Sequence, residues 1–177
     1  YYNYLWDQFQ IGEKTRGHLE LVREFPGLMN VFLLALLAAI PETRVAAIAA
    51  AVTAVAMAGF GIAGDNWIAF LALTLAWGAG SHIIMPINSS LTMEMGGETS
   101  KGRRLGQVSA VSVMGSIIGA AIVLVVFASM AAPEAPPDPL AGSRPPVLVQ
   151  EMWRYDTSFG IAAGFCIVAA WFYWRMR

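Results

Sequence analysis

The residues of this sequence that could do chemistry are polar side chains set inside apolar stretches. The densest group lies at residues 81–90, where Ser81, His82 and Asn88 stand among apolar neighbours. In a lipid-embedded helix such groups either face an aqueous cavity and bind a solute, or hydrogen-bond neighbouring helices while Pro86 only bends the span. Ser81, His82 and Asn88 are therefore candidate cavity residues, and both interpretations stay open.

Four further residues carry polar groups near apolar sequence. Asn30 lies early in the apolar stretch 24–40 and is another cavity candidate. If the opening helix enters the membrane, Asp7 is a candidate proton or cation coupling site, whereas at a helix end it is merely solvated. Arg23 and Glu24, just before the Pro-Gly step, either form a gating charge pair or mark the membrane interface.

The arrangements typical of enzymes are missing from the sequence. Ser81 and His82 are adjacent, and adjacent helical residues point about 100° apart, so they do not form a nucleophile–base pair. Residues 96–104 lack Walker A spacing, and no GxSxG or HExxH motif is present. The chain has one cysteine, Cys166, and two histidines, which predicts neither a disulfide nor a metal site. We therefore predict no enzyme activity, no cofactor and no bound metal.

The composition is that of a membrane protein. The 177 residues are 57% hydrophobic and 13% charged, and the mean hydropathy is +0.58. Soluble domains carry about 25% charged residues. The charges also cluster between long apolar runs, as a bilayer requires. A net charge of -1 gives no reason to expect nucleic acid, so the predicted partner is membrane lipid.

Five apolar stretches approach or exceed the roughly 20 residues that a spanning helix needs. We predict an all-α, polytopic transmembrane helix bundle over residues 1–177. Residues 1–10 are too short to span and are interpreted as the end of a truncated helix. Residues 131–156 are Pro-rich and are predicted to form an extracytoplasmic loop. The predicted spans are 24–40, 45–63, 67–95, 105–130 and 157–174.

The basic residues predict the orientation of the bundle. Residues 96–104 form a short loop that contains Lys101 and two arginines, and short basic loops face the cytoplasm. Because successive spans alternate direction, the 41–44 turn and the C-terminal end share that side. The residues predicted in cytoplasmic loops or gates are Glu42, Arg44, Arg103 and Arg104.

Two GxxxG motifs predict close helix contacts. They are Gly115 with Gly119 and Gly160 with Gly164. In lipid, small residues let helix backbones approach each other. Packing within the chain is the favoured interpretation, and dimerisation is the alternative.

Several short motifs occur in a characteristic order. Residues 16–27 read Arg-Gly-His-Leu-Glu-Leu-Val-Arg-Glu-Phe-Pro-Gly, and the next hairpin ends in the charged turn Pro-Glu-Thr-Arg at 41–44. Pro-x-Asn-Ser-Ser follows at 86–90, and Gly-Arg-Arg-Leu-Gly-Gln at 102–107 begins the next span. Over nearly the whole chain this layout resembles one six-helix half of the major facilitator superfamily of secondary transporters. The turn at 41–44 departs from the longer Gly-x-x-x-Asp-Arg-x-Gly-Arg-type loop of many family members.

The resemblance implies a fragment of a secondary active transporter that moves a small solute by alternating access. It implies helices one, of which only the end is present, to six, and a missing second six-helix half as partner. Because the two halves are pseudo-repeats, helices seven to twelve stay open. Symport, antiport and uniport are all compatible with it, and the implied location is a bacterial inner (plasma) membrane. The alternative function is a small membrane scaffold or assembly subunit without transport activity.

Overall fold

The computed structural model describes residues 1–9, 11–63, 66–95, 97–129 and 149–176, leaving out the side chains of residues 2, 7, 13, 97–99 and 149–151. All regular structure in this part of the chain is helical, which confirms the predicted all-α class. In chain order the helices are α1 Tyr2–Phe9, α2 Glu13–Leu28, α3 Asn30–Leu37, α4 Glu42–Ala63, α5 Trp67–Met95, α6 Gly97–Ser129 and α7 Val149–Arg175.

Within the described residues, four helical segments are long and apolar enough to cross a membrane. Their mean hydropathies range from 1.4 to 2.6, well above that of the chain as a whole. The chain therefore has the character of a multi-span membrane protein, while the predicted number of spans stays a prediction. The four segments are Glu42–Ala63, Trp67–Met95, Ser100–Ser129 and Met152–Arg175.

The stretch 24–40, predicted as one span, is divided between two helices. The 16-residue α2 ends at Leu28, and the 8-residue α3 begins at Asn30. Between them Met29 leaves helical geometry, with φ -86° and ψ 1°. Proline and glycine stand just before this point, and both weaken a helix, the first by lacking an N–H and the second by its backbone freedom. The break follows from that pair.

The predicted basic loop 96–104 is helical wherever the structure describes it. α5 ends at Met95 and α6 begins at Gly97. Glu, Lys and the two Arg favour helix, which outweighs the two glycines Gly97 and Gly102. Arg103 and Arg104 therefore lie exposed on the first turns of α6 rather than in an open loop.

The end of the predicted loop 131–156 is also helical, because α7 begins at Val149. Residues 130–148 lie outside the described part of the chain. By contrast, α5 covers the predicted span 67–95 from end to end. Asn66 begins it by accepting a hydrogen bond on its Oδ1 from the Ala69 N–H, at 3.0 Å.

α4 is the central helix of the bundle, packed along both α5 and α7, while α2 packs on α5. Small residues permit this closeness. Ala46, Ala49 and Ala50 are almost fully buried on α4. On α5, a Cβ at Gly80 would collide with Thr53 Oγ1 and lie 2.7 Å from the Ala49 carbonyl oxygen. Only a glycine permits this crossing.

The two GxxxG motifs do not mediate this packing. A Cβ added at Gly115, Gly119, Gly160 or Gly164 would meet nothing within 4 Å. The interpretation of these motifs as contacts within the chain is therefore wrong for the described residues. Most of α6 is likewise exposed along its length.

Candidate functional site

A chain of ionisable side chains links α2 to the middle of α5. We call Glu20, Arg23, Glu24 and His82 the charge chain. Arg23 Nη2 lies 2.6 Å from Glu20 Oε2 and 2.8 Å from Glu24 Oε1. His82 Nε2 lies 3.0 Å from Glu24 Oε2. Because His82 is the sixteenth of the 29 residues of α5, the chain meets that helix near its midpoint.

Two glycines allow α2 to come this close. A Cβ at Gly78 of α5 would collide with the backbone carbonyl oxygen of Arg23. A Cβ at Gly27 of α2 would lie 2.9 Å from His82 Cε1, tighter than real Cβ contacts. The glycines thus position the imidazole and the carboxylate within hydrogen-bonding distance, on two helices that touch through their backbones.

Trp77 forms one wall beside the charge chain. The Arg23 guanidinium carbon lies 5.3 Å from the centre of a Trp77 ring, a cation–π distance. The Ser81 hydroxyl donates to the carbonyl oxygens of Trp77 at 2.9 Å and Gly78 at 3.0 Å. Ser81 is therefore adjacent to the charge chain, but its hydroxyl bonds to its own helix.

Asn30 reaches the same region by a different route. Pro86 has no N–H, so the carbonyl oxygen four residues earlier, that of His82, lacks its usual helical donor. Asn30 Nδ2 donates to that oxygen at 3.0 Å. Asn30 Oδ1 is buried and has no hydrogen-bond partner. Asn30 therefore joins the start of α3 to the backbone of α5 and leaves one acceptor free.

The charges of the charge chain alternate along it. Arg23 pairs with the carboxylates of both Glu20 and Glu24, and Glu24 also faces the imidazole of His82. The side chains of Glu20, Arg23 and His82 are 24–28% exposed, and that of Glu24 is 47% exposed. A protonated His82 would form an ion pair with the Glu24 carboxylate. The arrangement can therefore hold one positive charge at His82.

Asn88 is not part of this site. It accepts a hydrogen bond on Oδ1 from the hydroxyl of Tyr173 in α7. It belongs to a second polar group at the end of the bundle, where the Ser90 hydroxyl donates to Glu42 Oε1 at 3.1 Å. Arg44 lies 3.7 Å above a Trp174 ring in the same region. The cavity role of Asn88 and the gating roles of Glu42 and Arg44 stay predictions.

The remaining predicted residues are dispersed. Arg104 lines a groove with Thr92 and Gln107, away from the charge chain. Asp7 lies in α1, but its side chain is outside the described part of the structure. The described side chains contain no group of three or more His, Cys, Asp or Glu residues that could hold a metal ion.

Glu24 is the functional candidate that the sequence interpretation underestimated. The predicted spans contain no acid at mid-depth, yet the structure sets Glu24 against His82 near the midpoint of α5. A signal was present in the spacing, because residues 20, 23, 24 and 27 lie on one face of a helix. What that face contacts depends on α2 packing beside α5, which the spacing does not reveal.

Comparison with known proteins gives no relative. No family model, curated protein or solved structure matches the chain. The resemblance to the major facilitator superfamily therefore stays a prediction.

Proposed function

We propose that this chain is a helical bundle of a secondary transporter, which moves a small solute across the membrane by alternating access. The observation that supports this most is the charge chain at the midpoint of α5. Ionisable groups at such depth are costly in a bilayer and are found mainly on solute, ion or proton pathways.

The charge chain supplies a mechanism for opening and closing the bundle. A proton bound at His82 adds a positive charge beside the Glu24 carboxylate and holds α2 against α5. Its release weakens the attraction between these two side chains, which favours separation of the two helices. The non-helical residue Met29 provides a hinge between α2 and α3. Coupling of this release to solute movement constitutes the proposed transport cycle.

The proposal includes a second helical bundle, with the solute bound between the two near the membrane midplane. The open glycine faces of α6 and α7 are compatible with such a partner, because small residues permit close helix approach. We further propose the six-helix arrangement of the major facilitator superfamily and a bacterial inner membrane. The same glycine faces also favour the second candidate function, a scaffold subunit that binds other membrane helices.

Solute uptake tests the proposal. The full-length protein is reconstituted in liposomes and exposed to a panel of radiolabelled solutes, with His82→Ala beside His18→Ala. His18 is an exposed histidine of α2 and serves as the matched control. We expect uptake of at least one solute, a loss of about tenfold or more for His82→Ala, and none for His18→Ala. A scaffold would accumulate no solute and would respond equally to both substitutions.

A further inference from the structure

A cavity of about 300 Å³ is lined by residues of α1, α4, α5, α6 and α7, among them Trp77. For comparison, an apolar cavity of roughly 150 Å³ holds a benzene molecule. The volume therefore suits a ligand of about two fused rings. Aromatic side chains dominate the wall, namely Tyr1, Phe60, Trp77, Phe127, Tyr155 and Phe159.

The cavity wall is rigid where it meets α1. Tyr4 and Leu5 of α1, the helix that follows Tyr1, are 1% and 0% exposed. The Tyr4 hydroxyl donates to the Phe60 carbonyl oxygen at 3.1 Å, which fixes α1 on α4. The ring centres of Tyr1 and Trp77 are 5.1 Å apart, and those of Phe60 and Phe159 are 5.3 Å apart. These contacts hold the rings in place around the space.

The hydroxyl of Ser158 is a buried polar group in the cavity wall. Ser158 lines the cavity, and its Oγ is buried without a hydrogen bond. A buried hydroxyl without a partner is unfavourable, and the free energy is recovered when a ligand supplies the missing donor or acceptor. Among the described residues that line the cavity there is no charged side chain. The wall therefore favours a neutral ligand over an ion.

We propose that this cavity is a binding site for neutral, planar aromatic molecules of about two fused rings that carry one hydroxyl or carbonyl group. Aromatic walls bind flat rings through stacked and edge-to-face contacts, and Ser158 provides a directional contact. A lipid acyl chain would fill the same space without using either feature. The site is defined by its own geometry and does not depend on the proposed transport function.

Binding of tritiated 2-naphthol to the full-length protein in lipid nanodiscs, followed by a scintillation proximity assay, tests the proposal. We expect saturable binding that Ala162→Trp weakens about tenfold or more, because Ala162 lines the cavity. Val168→Trp, at an exposed position of the same helix, should change the affinity less than about twofold. If Ala162→Trp fails to fold, Val123→Trp fills the cavity from α6 instead.

The hydroxyl contact has its own control. Ser158→Ala should weaken 2-naphthol binding about fivefold, equivalent to one neutral hydrogen bond, and leave competition by naphthalene unchanged. Ser116→Ala, whose exposed hydroxyl bonds to the Ser112 carbonyl oxygen, should leave both ligands unaffected. The proposal is overturned if binding is not saturable, if filling the cavity has no more effect than Val168→Trp, or if Ser158→Ala affects both ligands equally. The last result would indicate apolar filling, as by an acyl chain.

Discussion

At the scale of single residues, the Pro86–Asn30 pair shows how one unusual residue creates the need for another. Pro86 leaves the carbonyl oxygen of His82 without its helical donor, and Asn30 supplies one from α3. The same bond fixes the backbone that carries the imidazole of the charge chain. Asn30 therefore acts on His82 by binding the backbone of His82. This contact does not depend on whether Asn30 also lines a cavity.

This relation predicts a double-mutant cycle. Asn30→Ala should destabilise the protein by about 1–2 kcal/mol, because it leaves a part-buried carbonyl oxygen unpaired. In a Pro86→Ala background, the restored N–H satisfies that oxygen, so the same change should cost less than about 0.5 kcal/mol. Chemical denaturation of the full-length protein in detergent measures both values. Equal costs in the two backgrounds would show that Asn30 stabilises the protein in some other way.

Glu24 carries a separate prediction. Glu24→Gln keeps the size of the side chain and removes the negative charge that faces His82, so uptake should fall about tenfold or more while the folded yield is preserved. Glu94→Gln makes the same chemical change at an exposed position near the end of α5. Uptake measured in liposomes should be unchanged by this control. Full uptake by Glu24→Gln would remove Glu24 from the proposed cycle.

Sequence reasoning at this scale found His82 but not its surroundings. A histidine in an apolar stretch is visible in the sequence, as is the proline four residues later. Which side chains contact His82 and the carbonyl oxygen freed by Pro86 depends on the tertiary structure. Glu24 and Asn30 lie 58 and 52 positions away from His82 and reach it only because α2 and α3 pack on α5.

At the scale of helices, glycine positions decide which pairs can pack. Gly78→Ala should destabilise the protein by about 2 kcal/mol or more, because the new methyl group collides with the Arg23 carbonyl oxygen and separates α2 from α5. Gly119→Ala introduces the same methyl group into open space on α6, where the gain in helix propensity is up to about 1 kcal/mol. Thermal unfolding of the two variants in detergent should move in opposite directions. Equal shifts would contradict the described α2–α5 contact.

Helix boundaries were predictable where apolar sequence is continuous. The span 67–95 was predicted in full, because no residue within it ends the helix and Asn66 marks its start. The stretch 24–40 was not, because hydropathy alone does not register the combined effect of a Pro-Gly step. The GxxxG motifs were misassigned for a related reason. Their spacing indicates a surface suited to close contact but does not identify the helix that occupies it.

At the scale of the whole molecule, α5 sets the distance between the two ends of the bundle. Its 29 residues extend over roughly 40 Å, enough to cross a bilayer. The polar contacts Glu42–Ser90 and Arg44–Trp174 bring the beginning of α4 and the ends of α5 and α7 together. This arrangement agrees with the prediction that the three segments lie on one side of the membrane.

The basic residues at the beginning of α6 predict that this end of the bundle faces the cytoplasm. In a Cys166→Ser background, Arg104→Cys should react with a membrane-impermeant thiol reagent only from the cytoplasmic side. Asn66→Cys, at the opposite end of α5, should react only from the other side. Labelling of right-side-out and inverted vesicles gives the answer. The reverse pattern would invert the proposed orientation.

Alternating access requires that the midpoint of α5 opens to each side of the membrane in turn. This can be measured without knowing the solute. Ser81→Cys in the Cys166→Ser background sets a thiol beside the charge chain, midway along α5. Vesicles of both orientations containing the full-length protein are treated with a membrane-impermeant thiol reagent. Val168→Cys, at an exposed position of the apolar helix α7, is the control that should stay unreactive. Alternating access predicts that Ser81→Cys is labelled from both sides of the membrane. Labelling from one side only, or from neither, would contradict alternating access at this site.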